Sequence, residues 1–120
     1  MALAIKLLIG FVALEHLFFL YLEMFSWSKM GRQLFKGYDK EFFTQTKVLA
    51  ANQGLYNGFL AAGLIWTFFI EDNAWQQNVA IFFLGCIAVA GIYGAATADR
   101  KIFFVQALPA IIGLILLVTV

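Results

Sequence analysis

This chain is short of what a soluble domain places on its surface. Charged residues make up 12% of its 120 residues, about half the share found in an average soluble domain. Eight Lys and Arg against seven Asp and Glu leave a net charge of +1, too little excess charge to neutralise a run of backbone phosphates, so no nucleic-acid partner is expected. There is one cysteine, Cys86, which rules out an intrachain disulfide and reads as a small packing residue inside an apolar run. No glycine-rich phosphate loop or nucleotide motif is present, and no cofactor is expected. The only histidine, His16, has no deep serine with which to build a nucleophilic triad.

What the chain has in excess is apolar residues, 63% of the total. They fall in four blocks, at about residues 3–26, 48–70, 79–98 and 102–120. Each is near the roughly 20 residues that a helix needs to cross the hydrocarbon of a bilayer. A helix satisfies every backbone hydrogen bond internally, so four spanning helices are predicted in place of strands. The expected fold class is all-α, an integral membrane four-helix bundle forming a single domain over 1–120. The first block has only Lys6 as a basic flank and is interrupted by Glu15 and His16, so it reads as a retained span and not as a signal peptide.

The connections set the orientation. Residues 27–47 carry Lys29, Arg32, Lys36, Lys40 and Lys47, and the third connection carries Arg100 and Lys101, while Glu71, Asp72 and Asn73 in the second have no cation among them. The positive-inside rule then makes 27–47 a cytoplasmic loop, with N-out and C-out termini, in a multi-pass protein of the cytoplasmic membrane. Within that loop Leu34, Phe35, Tyr38, Phe42 and Phe43 fall near helical spacing between basic residues. Two readings fit: an amphipathic segment lying on the lipid headgroups, or an ordinary loop with aromatic anchors.

The spans are not uniformly apolar. Glu15, His16 and Glu23 lie in the first, Asn52, Gln53, Tyr56 and Asn57 in the second, and Gln106 in the fourth. Counted at about 1.5 Å per residue, Glu23 shares a level with Asn52, Gln53 and Gln106, and Glu15 and His16 share a deeper one with Tyr56 and Asn57. An ionisable group at such depth requires a partner or a purpose, which makes these eight residues a candidate binding site for a small polar or cationic solute. Glu15 and His16 are neighbours pointing about 100° apart, too divergent to co-ligate, so no metal site is expected. Gly54 and Gly58 on the second helix and Cys86, Ala90, Gly94 and Ala98 on the third form small ridges, which predicts close packing of these two helices. Pro109 predicts a kink beside Gln106.

Three functions fit this pattern. The first is binding or transport of a small solute coupled to a proton. The second is an intramembrane enzyme moving a proton on a lipid-soluble substrate, in the manner of an isomerase. The third is a structural subunit or homo-oligomer in which amides serve as interhelical glue.

The residues also carry a family resemblance. Glu15-His16, Glu23-Met24-Phe25 and Trp27 recur in it, as do the run from Thr46 to Leu64, Tyr93-Gly94-Ala95-Ala96-Thr97, Gln106 and Pro109-Ala110. On these the chain resembles the small bacterial and fungal membrane proteins of domain of unknown function 1304. The resemblance spans nearly the whole chain and implies four membrane helices, with no particular activity. The segment Phe35–Glu41 is more polar here than the family's usual version.

Overall fold

The computed structural model describes every residue from Met1 to Val120. The fold is all-α, with no strand. Six α-helices run α1 (Leu3–Phe25), α2 (Arg32–Leu34), α3 (Lys40–Gln45), α4 (Lys47–Thr67), α5 (Asn73–Thr97) and α6 (Leu108–Thr119), with π-helical turns at Trp27–Gly31 and Phe103–Ala107. Two helices, α1 and α5, are long and apolar enough to cross a membrane. In α4 the amides that punctuate the apolar run lower that character, and the last apolar stretch is 103–119, shorter than the other two.

The chain divides into two compact units, one of residues 1–13 with 60–120 and one of residues 14–59. The first unit has an aliphatic core, with Ile5, Ile9, Val12, Leu64, Leu84 and Ile87 among its buried members. Its helix ends are closed by side chains. Asp72 accepts from the Trp75 amide at 3.0 Å and starts α5 earlier than the apolar run alone suggests. Gln76 and Gln77, which dilute the apolar signal at that end, donate to the carbonyls of Thr67 and Leu117, each at 2.9 Å. These carbonyls belong to the last turns of α4 and α6, where helices leave acceptors without internal partners. Sequence spacing did not single out either glutamine.

The winding of the chain changes just ahead of Pro109. The Leu108 amide reaches back to the Phe103 carbonyl, the five-residue bond of a π turn, and α6 begins with the proline in its first turn. Of the predicted third-helix ridge only Gly94 meets this segment, Ala90 and Ala98 being exposed, and the closest approach is made by Gly91 beside it. A Cβ on Gly91 would lie 2.5 Å from the Ala107 amide nitrogen, and one on Gly94 would lie 3.0 Å from an Ile102 methyl. The predicted partner of that ridge, the Gly54–Gly58 ridge of α4, packs elsewhere, as described below.

The second unit is organised around Phe43, which is fully buried. Trp27, Tyr38 and Phe42 surround its ring, with centroids at 5.3, 6.4 and 5.1 Å. The Trp27 indole N–H donates to the Thr46 hydroxyl at 2.9 Å, and that hydroxyl donates to the Phe42 carbonyl at 2.7 Å. Gly31 is buried against this cluster, since a Cβ there would approach Trp27 at 3.0 Å. Gly37 alone has a positive φ, +100°, a conformation that glycine adopts without strain, and it turns the chain toward α3. Asp39 caps α3 by accepting from the Phe42 amide at 2.9 Å. The connection 27–47 is therefore a folded element with its own aromatic core, and neither of the two sequence readings describes it fully.

Candidate functional site

The polar residues of the second unit converge on the contact between α1 and α4. Asn57 is buried, and its amide donates to the Glu23 carboxylate at 2.6 Å. The bond is shorter than the usual N–H···O range. It forms because α4 presents no side chain one turn earlier. A Cβ on Gly54 would meet Met24 Cγ at 2.9 Å, Glu23 Cβ at 3.0 Å and the Leu20 carbonyl at 3.2 Å, and one on Gly58 would overlap the Leu20 side chain. The glycine ridge of α4 thus faces α1, which corrects the expectation that it packs on the third helix. Gly54, Asn57 and Gly58 lie three and four residues apart and share one face, so the helix that approaches the glycines also receives the amide.

The levels change for the same reason. Counting from the helix ends put Asn57 beside Glu15 and His16, and Glu23 beside Asn52, Gln53 and Gln106. In the structure Glu23 stands opposite Gly54, and its side chain reaches one turn further along α4 to Asn57. A count of backbone rise leaves out that reach, which is about one helical turn.

Deeper in α1, His16 is fully buried and packs edge-on to Phe19, with ring centroids 5.1 Å apart. Its Nδ1 lies 4.0 Å from a Glu15 carboxylate oxygen, beyond hydrogen-bond range but close enough for a charge on the imidazole, when protonated, to interact with the carboxylate. That same oxygen, Oε1, is buried without a hydrogen-bond partner. A carboxylate oxygen so placed is costly to desolvate and marks a position where a proton, a cation or a donor would be stabilising. Glu15 and Glu23 sit two turns apart on one helix.

The other candidates lie outside this cluster. Asn52, Gln53 and Tyr56 are exposed on α4, and Gln106 is half-buried in the π turn of the first unit. Nowhere do three or more His, Cys, Asp or Glu side chains converge as a metal site would require. With Glu23 accepting from Asn57, the Asn57 carbonyl and the second Glu23 oxygen are hard donors on one small patch, chemistry that suits an alkali cation, an ammonium group or a hydroxylated solute.

Comparison with known proteins gives the chain a family. It is 34% identical over 106 residues to the uncharacterized protein YpaA of Lactococcus lactis subsp. lactis (strain IL1403), covering 87% of each chain. No solved structure matches it. The family model described as "Protein of unknown function (DUF1304)" matches residues 10–118, nearly the full length and every residue of the α1–α4 cluster, and the chain belongs to that family.

Proposed function

We propose that the chain is a four-span protein of the cytoplasmic membrane, with both termini outside, and that it binds or transports a small polar or cationic solute at the Glu15–His16–Glu23–Asn57 cluster, with Glu15 exchanging a proton against the solute. The observation that carries this reading is the buried Glu15 oxygen without a hydrogen-bond partner, two turns from a satisfied carboxylate on the same helix. A purely architectural carboxylate would be paired as Glu23 is, and an ionisable group inside a span is retained for a task by default. Asn52 and Gln53, exposed at the end of α4 nearer the basic connection, would offer amides along the approach from the cytoplasm.

A structural role is the second reading, and the Glu23–Asn57 bond favours it, because a short amide–carboxylate contact between helices is the glue expected of an assembly element. Thermal-shift titration of the purified protein separates the two. Monovalent cations, small amines and polyols are screened at pH 5.5 and 7.5 on the wild type, Glu15→Gln and Glu23→Gln. A solute that stabilises the wild type and not Glu15→Gln supports the binding reading. Equal shifts in wild type and Glu15→Gln, or none with any solute, would leave the cluster as architecture.

A further inference from the structure

Outside the α1–α4 cluster, the connection between those helices has a second feature built from different residues. Lys29, Arg32 and Lys36 line one hollow of about 710 Å³ together with Ser28, Gln33 and Tyr38. We propose that this hollow is a binding site for a phosphate group, held by Lys29, Arg32 and Lys36.

Four observations support the assignment. The first is charge: three cations share one concavity, and none of them has a carboxylate within ion-pair distance, the only such contact in the protein being His16–Glu15. Of the two acids nearest in sequence, Asp39 is engaged as the cap of α3, and Glu41 makes no ion pair with the cluster. The second is donor chemistry. Arg32 presents the planar fork that matches two phosphate oxygens, Lys29 and Lys36 supply point charges, and the Ser28 and Tyr38 hydroxyls and the Gln33 amide add neutral donors.

The third is rigidity behind the charges. Gly31, which precedes Arg32, is buried against Trp27 and Phe43, so the turn that carries the cations is backed by the aromatic core. Tyr38 is stacked on Phe42, with centroids 4.3 Å apart and planes 21° from parallel, after the turn at Gly37. A surface lysine run in a mobile loop has no such backing. The fourth is setting. Leu34 and Phe35 are exposed beside the hollow, 54% and 42%, and apolar side chains next to unpaired cations are what a headgroup with its acyl chains would engage. The phosphate of an anionic phospholipid and a free phosphate or phosphomonoester share the recognising chemistry.

The test uses the full chain in phosphatidylcholine nanodiscs carrying increasing fractions of phosphatidylglycerol, with retained lipid measured by native mass spectrometry. A parallel arm titrates inorganic phosphate into protein in pure phosphatidylcholine discs by calorimetry. The wild type is expected to retain phosphatidylglycerol over phosphatidylcholine, and each cation removed should lower that preference roughly fivefold. Arg32→Gln gives the single-residue effect at an exposed position that leaves the fold intact, with helicity by circular dichroism as the control. Arg32→Lys keeps the charge and loses the fork, so it should fall between the two. Lipid preference lost in these variants assigns the site to a headgroup, and inorganic phosphate binding lost in them assigns it to a free anion. Wild type and Arg32→Gln alike in both arms would overturn the proposal, as would no binding in either.

Discussion

A double-mutant cycle on Glu23 and Asn57 examines the contact on which the second unit depends. Interhelical hydrogen bonds in membrane proteins average about 0.6 kcal/mol and reach about 1.7 kcal/mol. The Glu23–Asn57 bond has the features that place a pair at the top of that range. It is 2.6 Å long, its acceptor is a carboxylate, and its donor is 5% exposed. Asn57→Ala should therefore destabilise by about 2 kcal/mol, because the acceptor is left without its donor and a small cavity opens. Glu23→Ala should cost a similar amount, since the amide is then the orphan. The two losses should not add, and their coupling is expected at about 1.5 kcal/mol. Reversible unfolding in mixed micelles gives all four free energies. A coupling below about 0.3 kcal/mol, within the usual limits of additivity, would refute the claim that this bond fastens α1 to α4.

Three further predictions follow from the packing and the charge pattern. Gly91→Ala sets a methyl 2.5 to 2.7 Å from the Ala107 backbone and should cost about 3 kcal/mol, the upper part of the overpacking range, whereas Gly85→Ala, with nothing within 4 Å, should stabilise by about 0.5–1 kcal/mol; thermal melts of the two purified variants suffice. Gly58→Leu should separate α1 from α4 and leave α5 undisturbed, so a disulfide pair engineered between α1 and α4 should stop forming while one between α5 and the 103–107 turn still forms. Single cysteines at Lys36 and Asn73, in a Cys86→Ala background, should label from opposite sides of the membrane. Reaction at position 36 with an impermeant reagent in intact cells would reverse the proposed orientation.

Much of the helical content was legible from periodicity and length. The first three apolar blocks each fall in one helix, the fourth is split into a π turn and α6, and the limits moved where a cap intervened, as Asp72 did for α5. The candidate site was legible in kind and not in arrangement. Residue type alone marked Glu15, His16, Glu23 and Asn57 as expensive, but backbone rise could not foresee that Glu23 would reach a full turn along α4. The glycine ridge was seen and matched to the wrong neighbour, because small residues permit a close approach without specifying which helix makes it. The aromatic core around Phe43 was hidden for another reason. Its members are close in sequence, and the spacing that suggests a lipid-facing stripe equally suits a cluster closing on itself. Gln76 and Gln77 carried no signal at all, since a glutamine that caps a distant helix end looks like any other polar residue near a turn.

On the proposed binding reading, Glu15 is kept for a task and not for the fold. The unfolding free energy of solute-free Glu15→Gln, set beside that of the wild type under identical conditions, tests it most directly. The substitution preserves shape, removes the ionisable oxygen and adds a donor where Oε1 has no hydrogen-bond partner. If Glu15 serves a solute, the variant should be as stable as the wild type or more so, by about 0.5–2 kcal/mol, the gain usual when a residue strained for function is relieved. If Glu15 were a fastening of the bundle, Glu15→Gln would lose more than about 1 kcal/mol, and that loss would contradict the account.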